Sequence, residues 1–210
     1  MTQLKITAEE LAYWYFRLNG FLTIQNFIVH DERKANQRTD VDILGVRFPF
    51  RSEINMEDDA WFTKVSAKPL YIITELKTGL CNLNGPWKSP DKKNMQRVLK
   101  SLGSLEESLI ANASKDLYDQ GFYENEGCRV NLICVGKNEN NQMKSKFPHV
   151  PQILFKEILE FIWSRFRKFH DQKSANQQWD ENGKNLCKCY DENRNNIENF
   201  KDTILSGIKS

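Results

Sequence analysis

The chain has 210 residues (24.6 kDa), 40% of them hydrophobic and 28% charged, which is enough to bury a full core as one domain and excludes disordered and fibrous classes. Its 30 Lys and Arg against 28 Asp and Glu leave a formal charge of +2, too small for a uniformly basic nucleic-acid binder, so any such surface must come from local clustering. No apolar stretch reaches membrane-spanning length, and the opening residues MTQLKITAEELAYWYF lack a basic start followed by an apolar run, so the expectation is a cytoplasmic protein without a membrane partner.

Along the chain, Thr7 with Glu10 three residues later predicts a capping box, and Leu11, Trp14, Tyr15 and Leu18 continue at helical spacing until Gly20. FLTIQNFIV and VDILGVRF read as strands joined by the polar stretch DERKANQRTD, whereas residues 51 to 69 show little periodicity. PLYIITELKTG is a strand whose first half is apolar enough for both faces to be covered, hence central in its sheet. After the loop CNLNGPWKSPDKKN, the spacing of Met95, Val98, Leu99, Leu102, Leu105 and Leu109 predicts one long helix from about Asn94. A helix-length crossover then leads into CRVNLICVG, which predicts parallel pairing with the preceding strand. Past the loop KNENNQMKSKFPH, residues 153 to 155 suit a short strand and 157 to 169 a helix, and the Asn-rich tail from Lys173 is polar with helical patches. The expected organisation is an α/β domain over residues 1–172 and a polar, partly helical C-terminal extension over 173–210.

Two segments carry chemistry, TDVDILGV and YIITELKTG. Strand alternation puts Glu75 and Lys77 on one face and Leu76 on the other. Burying an unpaired ion costs several kcal/mol, so charges on an apolar strand need a partner or a task. A hard divalent cation, magnesium with manganese as substitute, resolves the conflict with oxygen ligands from Asp42, Glu75 and the Leu76 backbone carbonyl. Beside it, the Lys77 ammonium can position water and offset charge growing on a phosphate. Asp40 shares the parity of Asp42; the apolar neighbours Val41 and Ile43 favour Asp42, whereas Asp40 follows a polar run.

An Asp on one strand and Glu-x-Lys on the next, behind a helix with acidic residues, resembles the PD-(D/E)xK nuclease superfamily over roughly residues 5 to 137. The resemblance implies a restriction-endonuclease-like mixed sheet flanked by helices and an endonuclease with Asp42, Glu75 and Lys77 as its catalytic centre. The N-terminal part looks most like the archaeal Holliday-junction resolvases, whose first helix carries an acid about three turns ahead of a Gly-aromatic turn. Gly20-Phe21 matches that turn, which selects Glu9 as a further catalytic and metal-ligating residue, with the capping residue Glu10 as the alternative. The chain departs from the superfamily pattern in two ways. Asp42 and Glu75 are 75 − 42 = 33 residues apart, so residues 47 to 70 must hold an insertion, and Val41 replaces the proline of the name.

Lys93, Arg97 and Lys100 share a helix face at i, i+4, i+7 and form a candidate phosphate-contacting ridge, with Gln96 on the same helix as an auxiliary residue; a solvated helix face explains the basic residues equally well. In the segment from Trp163 to His170, the apolar stripe Ile158, Leu159, Ile162, Phe166 and Phe169 marks the aromatics as core and leaves Arg165 and Lys168 exposed. His30, His149 and His170 are too dispersed for a metal triad. Cys81, Cys128, Cys134, Cys187 and Cys189, odd in number and scattered, fit a reducing compartment, and Cys187 and Cys189 lack the second pair that structural zinc needs. The functions to be distinguished are a DNA endonuclease acting as a homodimer or within a larger complex, an RNA-directed nuclease in a defence setting, and an inactive nuclease-fold module that serves as a structural or nucleic-acid-binding subunit.

Overall fold

The structure, a computed structural model, describes residues 6–30, 37–51, 57–63, 67–175 and 180–208. In chain order the elements are α1 (Ala8–Leu18), β1 (Leu22–His30), β2 (Gln37–Arg47), α2 (Ala60–Thr63), β3 (Leu70–Leu80), α3 (Asn94–Leu102), α4 (Glu107–Gln120), β4 (Phe122–Glu124), β5 (Arg129–Asn138), α5 (Asn141–Lys146), β6 (Gln152–Leu154), α6 (Phe155–Lys168), α7 (His170–Ala175), α8 (Glu181–Glu192) and α9 (Ile197–Gly207). Two 3₁₀ turns, Gly85–Trp87 and Pro90–Lys92, lie between β3 and α3. Most of the polar stretch between β1 and β2 and parts of the segment after β2 fall outside the described residues.

The fold is α/β, with a mixed sheet of six strands in the order β1-β2-β3-β5-β4 and with β6 also pairing with β5. β1/β2 and β2/β3 are antiparallel, while β3/β5 is parallel, as the intervening helical crossover requires. β3 is central and its residues 72 to 76 are all buried, in keeping with an apolar run covered on both faces.

One face carries α1, α6 and the C-terminal helices. Leu11, Phe16, Ile43, Ile72, Ile133, Ile158, Phe166, Leu186 and Phe200 share its core. The other face carries α3, α4 and the turn with Trp87, over Val41, Leu44, Ile73, Leu132 and Cys134. The tail thus docks as helices on the first layer, burying Leu186, Tyr190, Phe200 and Ile204 among polar neighbours. Among the described residues no helix is long and apolar enough to cross a membrane.

Two expectations are corrected. The helix predicted from Asn94 through Leu109 is two helices, because Gly103 takes φ +67 and its N–H closes back on Leu99 O, ending α3. Arg165, expected to be exposed, is only 4% exposed: its guanidinium reaches Glu57 O and lies over the Phe161 ring. Lys168 is exposed as expected and reaches Glu57 Oε1 at 3.3 Å.

Candidate active site

The β2/β3 ladder runs from Arg47↔Leu70 to Ile43↔Thr74 and ends there, one rung short of setting Asp42 opposite Glu75. In place of a backbone rung, the Leu76 N–H donates to Asp42 Oδ2 at 2.6 Å. On the other side, the rungs Gln25↔Ile43 and Phe27↔Val41 flank Asn26, whose φ is +50. Asn is among the few L-residues that tolerate the left-handed region, so the irregular residue of β1 lies opposite Asp42. Asp42 therefore sits where the β2/β3 ladder ends and a single rung of the β1/β2 ladder is missing, with its second oxygen, Oδ1, in no hydrogen bond among the described residues.

Leu44 and Ile73 belong to the core under α3 and α4, and strand alternation puts Asp42, Glu75 and Lys77 on the same face. Glu75 is 2% exposed. Both of its oxygens are engaged: Oε1 by the Lys77 ammonium, Oε2 by the indole N–H of Trp87. Burial pushes the Glu75 pKa up; hydrogen bonds from Lys77 and Trp87 and the Lys77 charge oppose the rise, and the charge of Asp42 adds to it. Burial also raises Asp42, against the Leu76 N–H and the Lys77 charge, and with Asp40 and Glu9 adding to the rise.

Glu9 is close enough to enter that balance. It lies half-buried at the start of α1, and its carbonyl accepts from Gln25 Nε2 at 3.2 Å, which ties the helix start to β1. Glu10 is occupied elsewhere: its carboxylate accepts from Thr7 N at 2.7 Å and its N–H donates to Thr7 Oγ1 at 3.2 Å, the expected capping box. Asp40 is exposed opposite Ile28.

The basic residues lie apart from this group in their bonding. Lys93 is the exposed N-cap of α3, the Arg97 guanidinium donates to Lys92 O, and Lys100 pairs with Glu107. Gln96 is half-buried on the same helix. On β5, Cys134 pairs in register with Glu75, and its thiol donates to Asn82 O at 3.6 Å beside the buried Cys81.

The donor set suits a hard cation in kind, since Asp42 and Glu75 offer carboxylate oxygens and Asp42 Oδ1 has no hydrogen bond among the described residues. Among the described residues no three His, Cys, Asp or Glu side chains are grouped closely enough to hold a metal ion. A cation would thus need Glu75 to give up one of its present partners and would draw its remaining ligands from backbone and water. Trp87 was not singled out by sequence reasoning; the available signal was a large aromatic in a Gly-, Pro- and Asn-rich loop, where burial is the usual reason for one. No protein family, curated protein or solved structure matches this chain.

Proposed function

We propose that this protein is a metal-dependent nuclease of restriction-endonuclease-like fold that hydrolyses phosphodiester bonds, with DNA as substrate and magnesium, or manganese in its place, as the cation. The observation that carries this reading is the meeting of Asp42, Glu75 and Lys77 on one sheet face, where the β2/β3 ladder ends and one rung of the β1/β2 ladder is missing at Asn26. Asp42 and Glu75 would hold the cation. The Leu76 carbonyl is the next ligand in reach, since N–H and C=O of a strand residue point to the same side and the Leu76 N–H already meets Asp42, whereas Glu9 would join only by moving closer to Asp42 and Glu75. A cation there supplies Lewis-acid polarisation of the phosphate and lowers the pKa of water.

The chain's own part is to orient and to balance charge. Lys77 holds an ammonium at the site, where it can direct an attacking water and offset the charge that grows on phosphate oxygens. Lys93, Arg97 and Lys100 contribute backbone affinity along α3, and the enzyme works as a homodimer or with a partner subunit. A second reading, an inactive nuclease-fold module in a larger complex, is favoured by the Lys77–Glu75 pair, which neutralises the buried carboxylate without a cation.

The test is purified protein with magnesium against supercoiled, linear, branched and single-stranded DNA and RNA. Cleavage by the wild type that falls about 10² to 10⁴-fold in Lys77→Ala, with cation affinity retained, supports the nuclease. Cleavage of RNA alone would change the substrate. Neither cation binding nor cleavage would leave the assembly module.

A further inference from the structure

We infer that Trp87 is a positioning residue for Glu75, fixing Oε2 so that Oε1 is the oxygen delivered to a cation; the inference rests on the metal-site reading above. The two donors on Glu75 differ in freedom. Lys77 has a long flexible stem and a side chain 26% exposed, so it can swing away from Oε1 toward solvent. Trp87 is 1% exposed, carries a single N–H, and is packed in the core under α3 and α4.

The turn that carries the indole is itself braced. Trp87 N closes on Asn84 O at 3.1 Å and Lys88 N on Gly85 O at 3.0 Å. The Tyr118 hydroxyl of α4 donates to Pro86 O at 3.0 Å and accepts from Met95 N of α3 at 3.2 Å. A run of hydrogen bonds thus links α3, α4, the turn, the indole and Glu75. An uncharged donor suits the task, because it satisfies Oε2 in a buried setting without the repulsion that a second ammonium would exert on the cation.

Glu75 then acts as a ligand through one oxygen of fixed direction. A cation on Oε1 would take the place of the Lys77 ammonium, which would then be free to face water and phosphate. The two bonds would fare differently on cation binding: the bond to Trp87 would be kept and the bond to Lys77 exchanged.

Trp87→Phe retains most of the packed ring and removes the N–H. Manganese binding by calorimetry is expected to weaken about 10- to 100-fold, the range for losing a partner that orients a ligand. The unfolding midpoint, read beside it, separates loss of the ligand's support from loss of the fold. The second arm needs no metal and keeps the tryptophan: the indole N–H resonance of Trp87, assigned by its loss in Trp87→Phe or, if that variant does not fold, by selective labelling, is expected to move upfield and to exchange faster with solvent in Glu75→Gln. Wild-type binding matched by Trp87→Phe, or an indole resonance unmoved in Glu75→Gln, overturns this inference alone. A wild type that binds no manganese overturns the metal-site reading, and the positioning role with it.

Discussion

At the scale of single residues, Asp42 accepts the hydrogen bond of the Leu76 N–H through Oδ2, and on the proposed reading it has a second, separable task as a ligand to the cation. The substitutions that remove them differ. Asp42→Ala leaves a backbone donor unpaired, which costs about 1–3 kcal/mol, and loses the attraction of Lys77, partly offset by relief of the carboxylate's desolvation and of repulsion from Asp40, Glu9 and Glu75. Asp42→Asn keeps an acceptor for Leu76 while removing the charge. Denaturant unfolding should therefore place Asp42→Asn at or above the wild type and Asp42→Ala below it, with cation binding lost in both. Equal midpoints for the two variants would show that the Leu76 bond contributes nothing. The apolar bracket of Val41 and Ile43 marked Asp42 as the more buried of the two acids, and it is less exposed than Asp40; the break opposite Asn26 was not readable, because a left-handed Asn inside a strand leaves no mark in a hydrophobic pattern.

Among elements, β3 was legible because the apolar first half of PLYIITELKTG suits a strand covered on both faces, and its parallel partner β5 followed from the helix-length crossover. The split between α3 and α4 was hidden by leucines that continue the helical spacing past Gly103. The short strand β4 was missed as well, three residues being too few for a pattern; it is held in part by Glu124, which meets Lys68 at 3.2 Å and Arg129 at 2.8 Å. Partial burial would raise the Glu124 pKa, but hydrogen bonds and charge from Lys68 and Arg129 win and lower it. A carboxylate lowered in the folded state stabilises the fold above its unfolded pKa, and that contribution is lost as pH falls through the folded value. At neutral pH wild type should exceed Glu124→Gln by less than about 1 kcal/mol, as for other half-exposed pairs. The gap should close below the ordinary glutamate range, and one that widened on acidification would reverse the assigned sign.

For the whole molecule, the C-terminal residues were the hardest to read, because Leu186, Tyr190, Phe200 and Ile204 are spaced thinly through Asn, Lys and Glu, and only the docked helices reveal one face. The joint between α8 and α1 sets how closely that tail packs on the layer that also carries Glu9. Asp180 caps α8 through Gly183 N at 2.8 Å and also accepts from Trp14 Nε1 at 3.2 Å, so one carboxylate fastens both helices. Gly183 lets the backbone of α8 lie against the indole: a Cβ there would stand 2.2 Å from Trp14 Cζ2. In a free helix Gly→Ala would gain about 1 kcal/mol, whereas overpacking costs about 1–3 kcal/mol and here meets a buried ring that has little room to yield. Gly183→Ala should therefore lower the thermal midpoint by a few degrees, at roughly 2–4 °C per kcal/mol for a chain of this size. Trp14→Phe, which removes the clash partner's outer ring, should restore part of the loss when combined with it, although alone it forfeits the bond to Asp180. Differential scanning calorimetry of the two single variants and the double variant decides the matter: a midpoint that rises in Gly183→Ala, or additive losses in the double variant, would mean that α8 does not seat on Trp14 as described.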